Sequence, residues 1–517
     1  MKKIAFLANA IILVFPAIAS AATYVVSPSG DDGNAGDDAH PWATLQHAAD
    51  SVKAGDTVTV LAGDYQGFNL TTSGTAGAPI TFHANAGVQI VQENDQTGMD
   101  GINIEDTENG TTIEYVVVEG FSISGMMRAG IRTAVSSHVT IRNNKTDQNG
   151  VWGIFTGFAD DLLIEGNVCS RSGEQHGIYT SNSGDRPVIR NNLIWGNAGA
   201  GVHMNGDASQ GGDGIISEAL LEGNVIYDNG TAGGSGINCD GVQNSRFQNN
   251  VLYSAHASGM SLYVGDAAEA AKNNVVVNNT IIVASDGRWA LNIQQDSTGN
   301  HVYNNILLNL HPSRGAVDIA PEALPGFVSD HNLVIDRFTT DGGDTILTLA
   351  EWQSATGQDM ASQLAAPLFL DEKNNDYHLT AQSPAVDNGT STEAPSTDAD
   401  GVSRPQGAAF DIGAYEFCSL GDCQSAGGTG GTGTGGNSTG GASSGGNGTG
   451  GSGAGNTGGA TGGGNGYCGP DLTTCGTDDN PGSCGCRTAG LPTEEGTSLA
   501  AITLAAIATV FARRRKT

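Results

Sequence analysis

Between about residue 129 and residue 335 the chain alternates apolar and polar positions in short runs, each closed by a polar turn. One run recurs: Val139-Thr-Ile-Arg-Asn-Asn144, Leu162-Leu-Ile-Glu-Gly-Asn167, Pro187-Val-Ile-Arg-Asn-Asn192, Ala219-Leu-Leu-Glu-Gly-Asn224, Ser245-Arg-Phe-Gln-Asn-Asn250, Val275-Val-Val-Asn-Asn279 and His301-Val-Tyr-Asn-Asn305. The terminal Asn residues are spaced 23, 25, 32, 26, 29 and 26 apart. Each is followed by an apolar pair and then by a second short run: Ala129-Gly-Ile-Arg132, Trp152-Gly-Ile-Phe155, His176-Gly-Ile-Tyr179, Ala200-Gly-Val-His203, Ser235-Gly-Ile-Asn238, Ser258-Gly-Met-Ser261, Trp289-Ala-Leu-Asn292 and Arg314-Gly-Ala-Val-Asp318. A period of two within runs and of 23–32 between them predicts a parallel β-solenoid, in which each coil buries its inward residues against the coils above and below. A helical solenoid needs apolar spacings of three and four, which are missing. The repeated Asn predicts a ladder of amides that satisfies turn backbone otherwise stranded.

The register follows from the alternation. Ile131, Ile154, Ile178, Val202, Ile237, Met260, Leu291 and Val317 form one inward column, so their neighbours face out. The outward positions after them read Arg132, Phe155, Tyr179, His203, Asn238, Ser261, Asn292 and Asp318. Those before them include Trp152, His176 and Trp289, and those two further on include Asn205, Asp240 and Tyr263. With coils about 4.8 Å apart, Trp152, Phe155, His176, Tyr179, His203, Asn205, Asn238, Asp240 and Tyr263 are expected on one face spanning on the order of 20 Å. A solvated face has no need of such a concentration of rings. Aromatic faces stack on pyranose rings while amides and carboxylates take the hydroxyls, so the pattern reads as a glycan groove. Trp152, Phe155, Asn205, Asn238, Tyr263 and Trp289 are the candidate substrate-binding residues. His176, Tyr179, His203 and Asp240 are the candidate catalytic residues, because they can move a proton near neutral pH. A second stack, Trp195, Tyr227 and Tyr253, belongs to another sheet and reads as cover for a loop or a secondary contact.

The longest repeat carries the insertion Gly206-Asp-Ala-Ser-Gln-Gly-Gly-Asp-Gly214, and insertions on solenoids shape the binding face. Asp207 and Asp213 in that Gly-rich loop are candidate Ca²⁺ ligands. The same carboxylates, with Asp240, could instead serve as an acid/base pair. Charge bears on the partner. There are 22 Lys+Arg against 54 Asp+Glu, a net charge of −32. That excludes a nucleic-acid partner, since no basic face is available for phosphates. An acidic glycan would be repelled unless a cation intervened.

The ends of the chain read differently from its middle. Residues 1–22 have Lys2 and Lys3, an apolar stretch, then Ala19-Ser-Ala21, the pattern of a secretory signal peptide. Residues 424–466 hold 22 Gly in 43 positions and form a flexible spacer. The apolar run Ser498–Ala512 is followed by Arg513, Arg514, Arg515 and Lys516, which is expected to act as a short membrane-anchor helix with its basic end cytoplasmic. Six of the eight Cys lie at 418–486; they can pair in an oxidising compartment, and spacing leaves the connectivity open. Cys169 and Cys239 fall at inward positions and read as buried thiols.

Two resemblances add to this reading. Cys484-Gly-Cys486, the apolar run and the basic cluster resemble the C-terminal sorting signal of myxobacterial surface proteins, which implies anchoring through processing at a Cys. The coils resemble the right-handed parallel β-helix of the pectate-lyase-like superfamily. The opening from Tyr24-Val-Val-Ser-Pro-Ser-Gly-Asp-Asp32 through Pro41-Trp-Ala-Thr44, Gly55-Asp-Thr-Val58 and Gly63-Asp-Tyr65 is similar to polysaccharide lyase family 9. Ser383-Pro-Ala-Val-Asp-Asn-Gly389 and Asp411-Ile-Gly-Ala-Tyr-Glu-Phe417 resemble a segment placed between a β-helix and an anchor in bacterial surface proteins. The family's lysine base does not carry over, because Lys272 sits in a turn at the entry to the Asn ladder, Lys145 lies just past a ladder Asn, and neither shares the ringed face; no Asp cluster matches the family's calcium site. Asn238-Cys-Asp-Gly241 is similar to one polygalacturonase motif whose companion motifs are missing here.

The expected fold is therefore all-β, a single-stranded right-handed parallel β-helix with terminal additions. These are a signal peptide (1–22), N-terminal cap and first coils (23–80), β-helix (81–345), C-terminal cap (346–417), Cys pair and linker (418–466), Cys-rich motif (467–490), and helix with basic tail (491–517). The expected function is a surface-anchored, exported, monomeric protein acting on a polysaccharide as lyase, hydrolase or epimerase, with Ca²⁺ as the candidate cofactor. The alternative is a β-helix that binds glycan, or serves structurally, without turnover.

Overall fold

The computed structural model describes residues 21–418. The expected signal peptide (all but its last two residues), the linker, the Cys-rich motif and the anchor helix lie outside the described residues. Among the described residues no helix is long and apolar enough to cross a membrane.

The chain winds as an all-parallel β-solenoid of about twelve turns, one per strand of its 12-stranded sheet. It is of the right-handed type expected for parallel crossovers. Each coil has three strands. The front strands include Ile178–Ser181, Val202–Asn205, Ile237–Asp240, Met260–Tyr263 and Leu291–Ile293. The ladder strands include Leu163–Glu165, Val188–Arg190, Leu220–Glu222 and Arg246–Gln248. The back strands include Val168–Ser170, Leu193–Trp195, Val225–Tyr227 and Val251–Ala255. Stacking begins at Thr23–Val26, which pairs with Thr57–Val60 and through it with Ile80–Ala84.

The inward column holds its register residue for residue: Ile131 pairs with Ile154, then Ile178, Val202, Ile237, Met260, Leu291 and Val317. All eight are buried, and each buried aliphatic chain contributes about 1.5–3 kcal/mol. Six of the eight follow a glycine, the last two an alanine, and the glycine is demanded by space. A Cβ on Gly177 would sit 2.5 Å from Ile194 Cγ2, and one on Gly201 2.5 Å from Ile226 Cγ2. Cys169 and Cys239 are free, buried thiols inside the solenoid, and burial pushes Cys169 up to about 12.

The Asn-Asn and Gly-Asn pairs work as units. The first member takes a left-handed conformation, with φ of 55° at Asn143, 65° at Gly166, 56° at Asn191 and 62° at Gly223. Asn and Gly tolerate that region best. The second member turns inward, where Asn144, Asn167, Asn192, Asn224, Asn250, Asn279 and Asn305 hydrogen-bond in one continuous ladder. The ladder runs one rung beyond the expected set, to Asn332.

Helix Leu45–Ser51 buries Leu45, Ala48 and Ala49 at one end. Helix Leu349–Thr356, held by a capping box between Thr348 and Glu351, buries Trp352 against Phe338 at the other. Residues from about 365 onward fold back along the solenoid. Tyr377 and Ala414 pack with Tyr253 and Ile282, and Leu379 and Ile412 with Ile306 and Leu333. The outward Asn of several pairs fastens this segment: Asn249 donates to Thr397 O, Asn278 to Asp411 O and Asn304 to Thr390 O. Cys418 is disulfide-bonded.

Candidate functional site

The outward column is as regular as the inward one. Arg132, Phe155, Tyr179, His203, Asn238, Ser261, Asn292 and Asp318 are successive register partners. The two positions beyond it bring Ser181, Asn205, Asp240 and Tyr263 into line. The residues before it are set by the turns, where Gly153 N–H donates to His176 O and Gly177 N–H to Ala200 O.

One end of this face is a set of rings. Trp152 and Phe155 lie 4.7 Å apart, Trp152 and Tyr179 5.9 Å, and Phe155 and Tyr179 5.5 Å. All three are partly exposed. Arg132 lies over Phe155, but Glu105 neutralises it, as Asp100 does Arg128. The centre is the histidine pair. The rings of His176 and His203 are 4.6 Å apart, and Tyr179 lies 5.1 Å from the first and 4.9 Å from the second. His176 Nδ1 accepts from Ala200 N–H at 2.9 Å. His203 Nδ1 lies 2.8 Å from Asn238 Nδ2, which is 2.7 Å from Tyr263 Oη. Asn205 Nδ2 donates to Tyr179 Oη at 3.2 Å.

Burial sets the charge state of the pair. It pushes His203 down to about 4 and His176 to about 3, the latter helped by the charge of His203. In the unfolded chain both titrate near 6.5. The unfolded state therefore binds more protons between about pH 6.5 and 4, and stability present at neutral pH is lost as pH falls through that window. For His203 the loss is on the order of 2–3 kcal/mol. The melting temperature is expected to fall more steeply from pH 6.5 to 4 in the parent than in a His176→Gln/His203→Gln double variant. Equal slopes would show that these rings do not carry the effect.

Two expected roles are corrected by their surroundings. Asp240 is only 3% exposed, and its oxygens accept from Gly265 and Asp266 N–H at 2.7 Å each and from Ala267 N–H at 3.4 Å. It holds the turn after the next coil rather than standing open to a ligand. Trp289 is 4% exposed, with Gly343 against its edge, and offers no stacking face. The 206–214 loop does rise beside Asn205, whose Oδ1 accepts from Asp207 N–H at 3.3 Å. It docks on the same turn, with Ala208 N–H donating to Asp266 O. Asp207 accepts from Ser209 and Asp213 from Ile215, each within the loop. Among the described residues no group of three or more His, Cys, Asp or Glu converges as a metal site. The second stack is covered: Arg171 lies over Trp195, Tyr227 stacks on Tyr253, and Tyr377 packs on Tyr253.

Sequence reasoning missed a polar cavity of about 240 Å³ next to His203, lined in part by Asn238, Ser261, Tyr263, Arg288, Asn292 and Gln294. Ser261 and Asn292 stood in the outward column and gave the signal; Arg288 lies in a turn and gave none. A larger recess of about 550 Å³ near the N-terminal end holds Asp64, Glu93 and Asp95. Its Gln46 and Asn94 are tied to each other and to backbone.

A family model described as periplasmic copper-binding protein (NosD) matches residues 66–212. The uncharacterized protein YwoF of Bacillus subtilis (strain 168) is 26% identical over 432 residues, covering 70% of this chain and 91% of its own. Among solved structures, pectate lyase Pel9A superposes with a TM-score of 0.52 at 16% identity, over 77% of this chain and 97% of its own. An alginate lyase from Paenibacillus sp. str. FPU-7 gives a TM-score of 0.41 at 20% identity, over 57% of this chain and 97% of its own. The chain has the pectate-lyase-like parallel β-helix fold.

Proposed function

We propose that this protein is an exported, carbohydrate-active β-helix that binds a glycan chain along its front face and cleaves or isomerises it there. The observation that carries the reading is the ordered face itself. An open cluster of three aromatic rings leads to two neutral imidazoles beside a phenol, and then to an amide- and hydroxyl-lined cavity. Stacking surface followed by hydrogen-bonding groups is what a run of sugar rings needs. The likeness to a pectate lyase supports the fold and leaves the bond acted on to the site. The signal-like N-terminus and the anchor-like C-terminus support a place on the cell surface. Asp207 and Asp213 would contribute to Ca²⁺ binding through the loop beside Asn205.

The test is a polysaccharide panel scored for new reducing ends and for unsaturated products, run in Ca²⁺, in Cu²⁺ and in chelator. Copper is included because of the description attached to the matching family model. Turnover of at least one polymer is expected. Trp152→Ala should weaken binding of that polymer by about tenfold, equivalent to about 1.4 kcal/mol, and leave the melting temperature close to the parent's. Binding without product under all conditions would favour the non-catalytic alternative. Neither binding nor product would remove the groove assignment.

A further inference from the structure

A histidine can serve as a base only through a ring nitrogen that carries no proton and is free. On His176 that nitrogen is spent. Its Nδ1 accepts from the backbone N–H of Ala200 at 2.9 Å, and a backbone amide can only donate. The neutral ring therefore carries its hydrogen on Nε2. Nε2 has no protein partner, and it is not among the buried polar atoms left without one, so it opens to the groove. Tyr179 is oriented in the same manner. Asp207 N–H donates to Asn205 Oδ1, which turns the amide nitrogen toward Tyr179 Oη and makes that oxygen an acceptor. The phenolic hydrogen is then free to point elsewhere. On His203, Nδ1 faces the side-chain amide of Asn238, and the Asn238 backbone also bonds the ring.

We infer that His176 and Tyr179 are a matched pair of hydrogen-bond donors, Nε2–H and Oη–H, aimed by backbone amides at one oxygen of the bound glycan. This rests on the carbohydrate-active reading of the face and refines it: His176 stabilises charge that gathers on a sugar oxygen and does not abstract a proton. The two rings meet edge to face with centroids 5.1 Å apart, so both donors lie on the same stretch of the face. The titratable groups in contact with His176 are Tyr179, on the strand that follows it, and His203 on the next coil, and no carboxylate partners the ring. Burial opposes its protonation, as does the charge of His203. The ring thus stays a neutral donor across the range in which an ordinary histidine would titrate. Donors fixed before the ligand arrives need no reorganisation when charge develops, which is what makes such groups effective.

The experiment has two arms. In the first, long-range ¹H–¹⁵N correlation is recorded on histidine-labelled full-length protein from pH 8 to pH 5, with the His176 signals identified by their loss in His176→Gln. The expected result is an Nε2–H tautomer throughout. An Nδ1–H tautomer, or a protonation midpoint inside that range, overturns the inference. In the second, kcat is compared on the polymer found active in the panel. His176→Ala and Tyr179→Phe should each lose about 100-fold or more, while His176→Gln, whose amide restores a donor near Nε2, should stay within about tenfold of the parent. A glutamine variant as inactive as the alanine variant overturns it as well. If the parent turns over no polymer, the functional proposal fails, and the first arm still decides the donor assignment.

Discussion

Asn224→Ala is expected to lower the unfolding free energy by about 3–5 kcal/mol, a large loss for one truncation at a position that lines no groove. Asn224 is fully buried. Its Oδ1 accepts from Asn192 N–H at 3.0 Å and from Asn192 Nδ2 at 2.9 Å. Its Nδ2 donates to Ile189 O at 2.8 Å and to Asn250 Oδ1 at 2.9 Å. Alanine removes four hydrogen bonds where water does not reach; Asn250 Oδ1 keeps the backbone N–H of residue 224 and Asn192 Nδ2 keeps Ile164 O, while the groups left unpaired cost about 1–3 kcal/mol each before relaxation. Asn224→Asp should be no better, since it keeps an acceptor, loses both donated bonds and buries a charge. Urea unfolding with an unchanged m-value measures the effect; a loss below about 1 kcal/mol would mean that the ladder fixes register without stabilising the solenoid.

Arg404→Met is expected to cost about 3–5 kcal/mol and to expose the segment from about residue 365 onward to proteases. Arg404 is 6% exposed, with its guanidinium sealed between that segment and the solenoid. Nη1 donates to Glu416 Oε2 at 2.6 Å, and Nη2 to Gly413 O at 2.8 Å and to Asn249 Oδ1 at 3.4 Å. Removing the cation leaves Glu416 buried without its counter-charge, beside Asp411, which burial and Glu416 already push up to about 7. The double variant Arg404→Met/Glu416→Leu should recover much of the loss, because the desolvation penalty leaves with both charges. Limited proteolysis read by mass, alongside thermal melts, distinguishes the two. A single variant that resists protease like the parent would show that the apolar contacts of Tyr377, Leu379 and Ile412 suffice to hold the segment.

Much of the architecture was legible because its information is local and repeated. The alternation from Ile131 to Val317 determined which side chains enter the core, since a slip of one residue would turn every Ile outward. The Asn-Asn and Gly-Asn pairs determined the ladder, since one residue must accept a left-handed turn and the next must satisfy the backbone it strands. That same register puts Trp152, Phe155, His176, Tyr179, His203 and Asn238 on one face. What only the tertiary structure decided lies in the turns, whose course no periodicity constrains. The 265–267 turn captures Asp240, the 339–345 stretch covers Trp289, and Arg288 reaches the cavity from a bend without sequence signature. The chemistry of the histidines belongs to the same class. The sequence places His176 and His203 on adjacent coils, but whether a ring nitrogen is base or donor depends on a single hydrogen bond, here from the backbone of Ala200, and on how much water the fold removes. Strand position is a matter of residue spacing; protonation is a matter of the nearest few ångströms, and those are assembled from parts of the chain 24 residues apart.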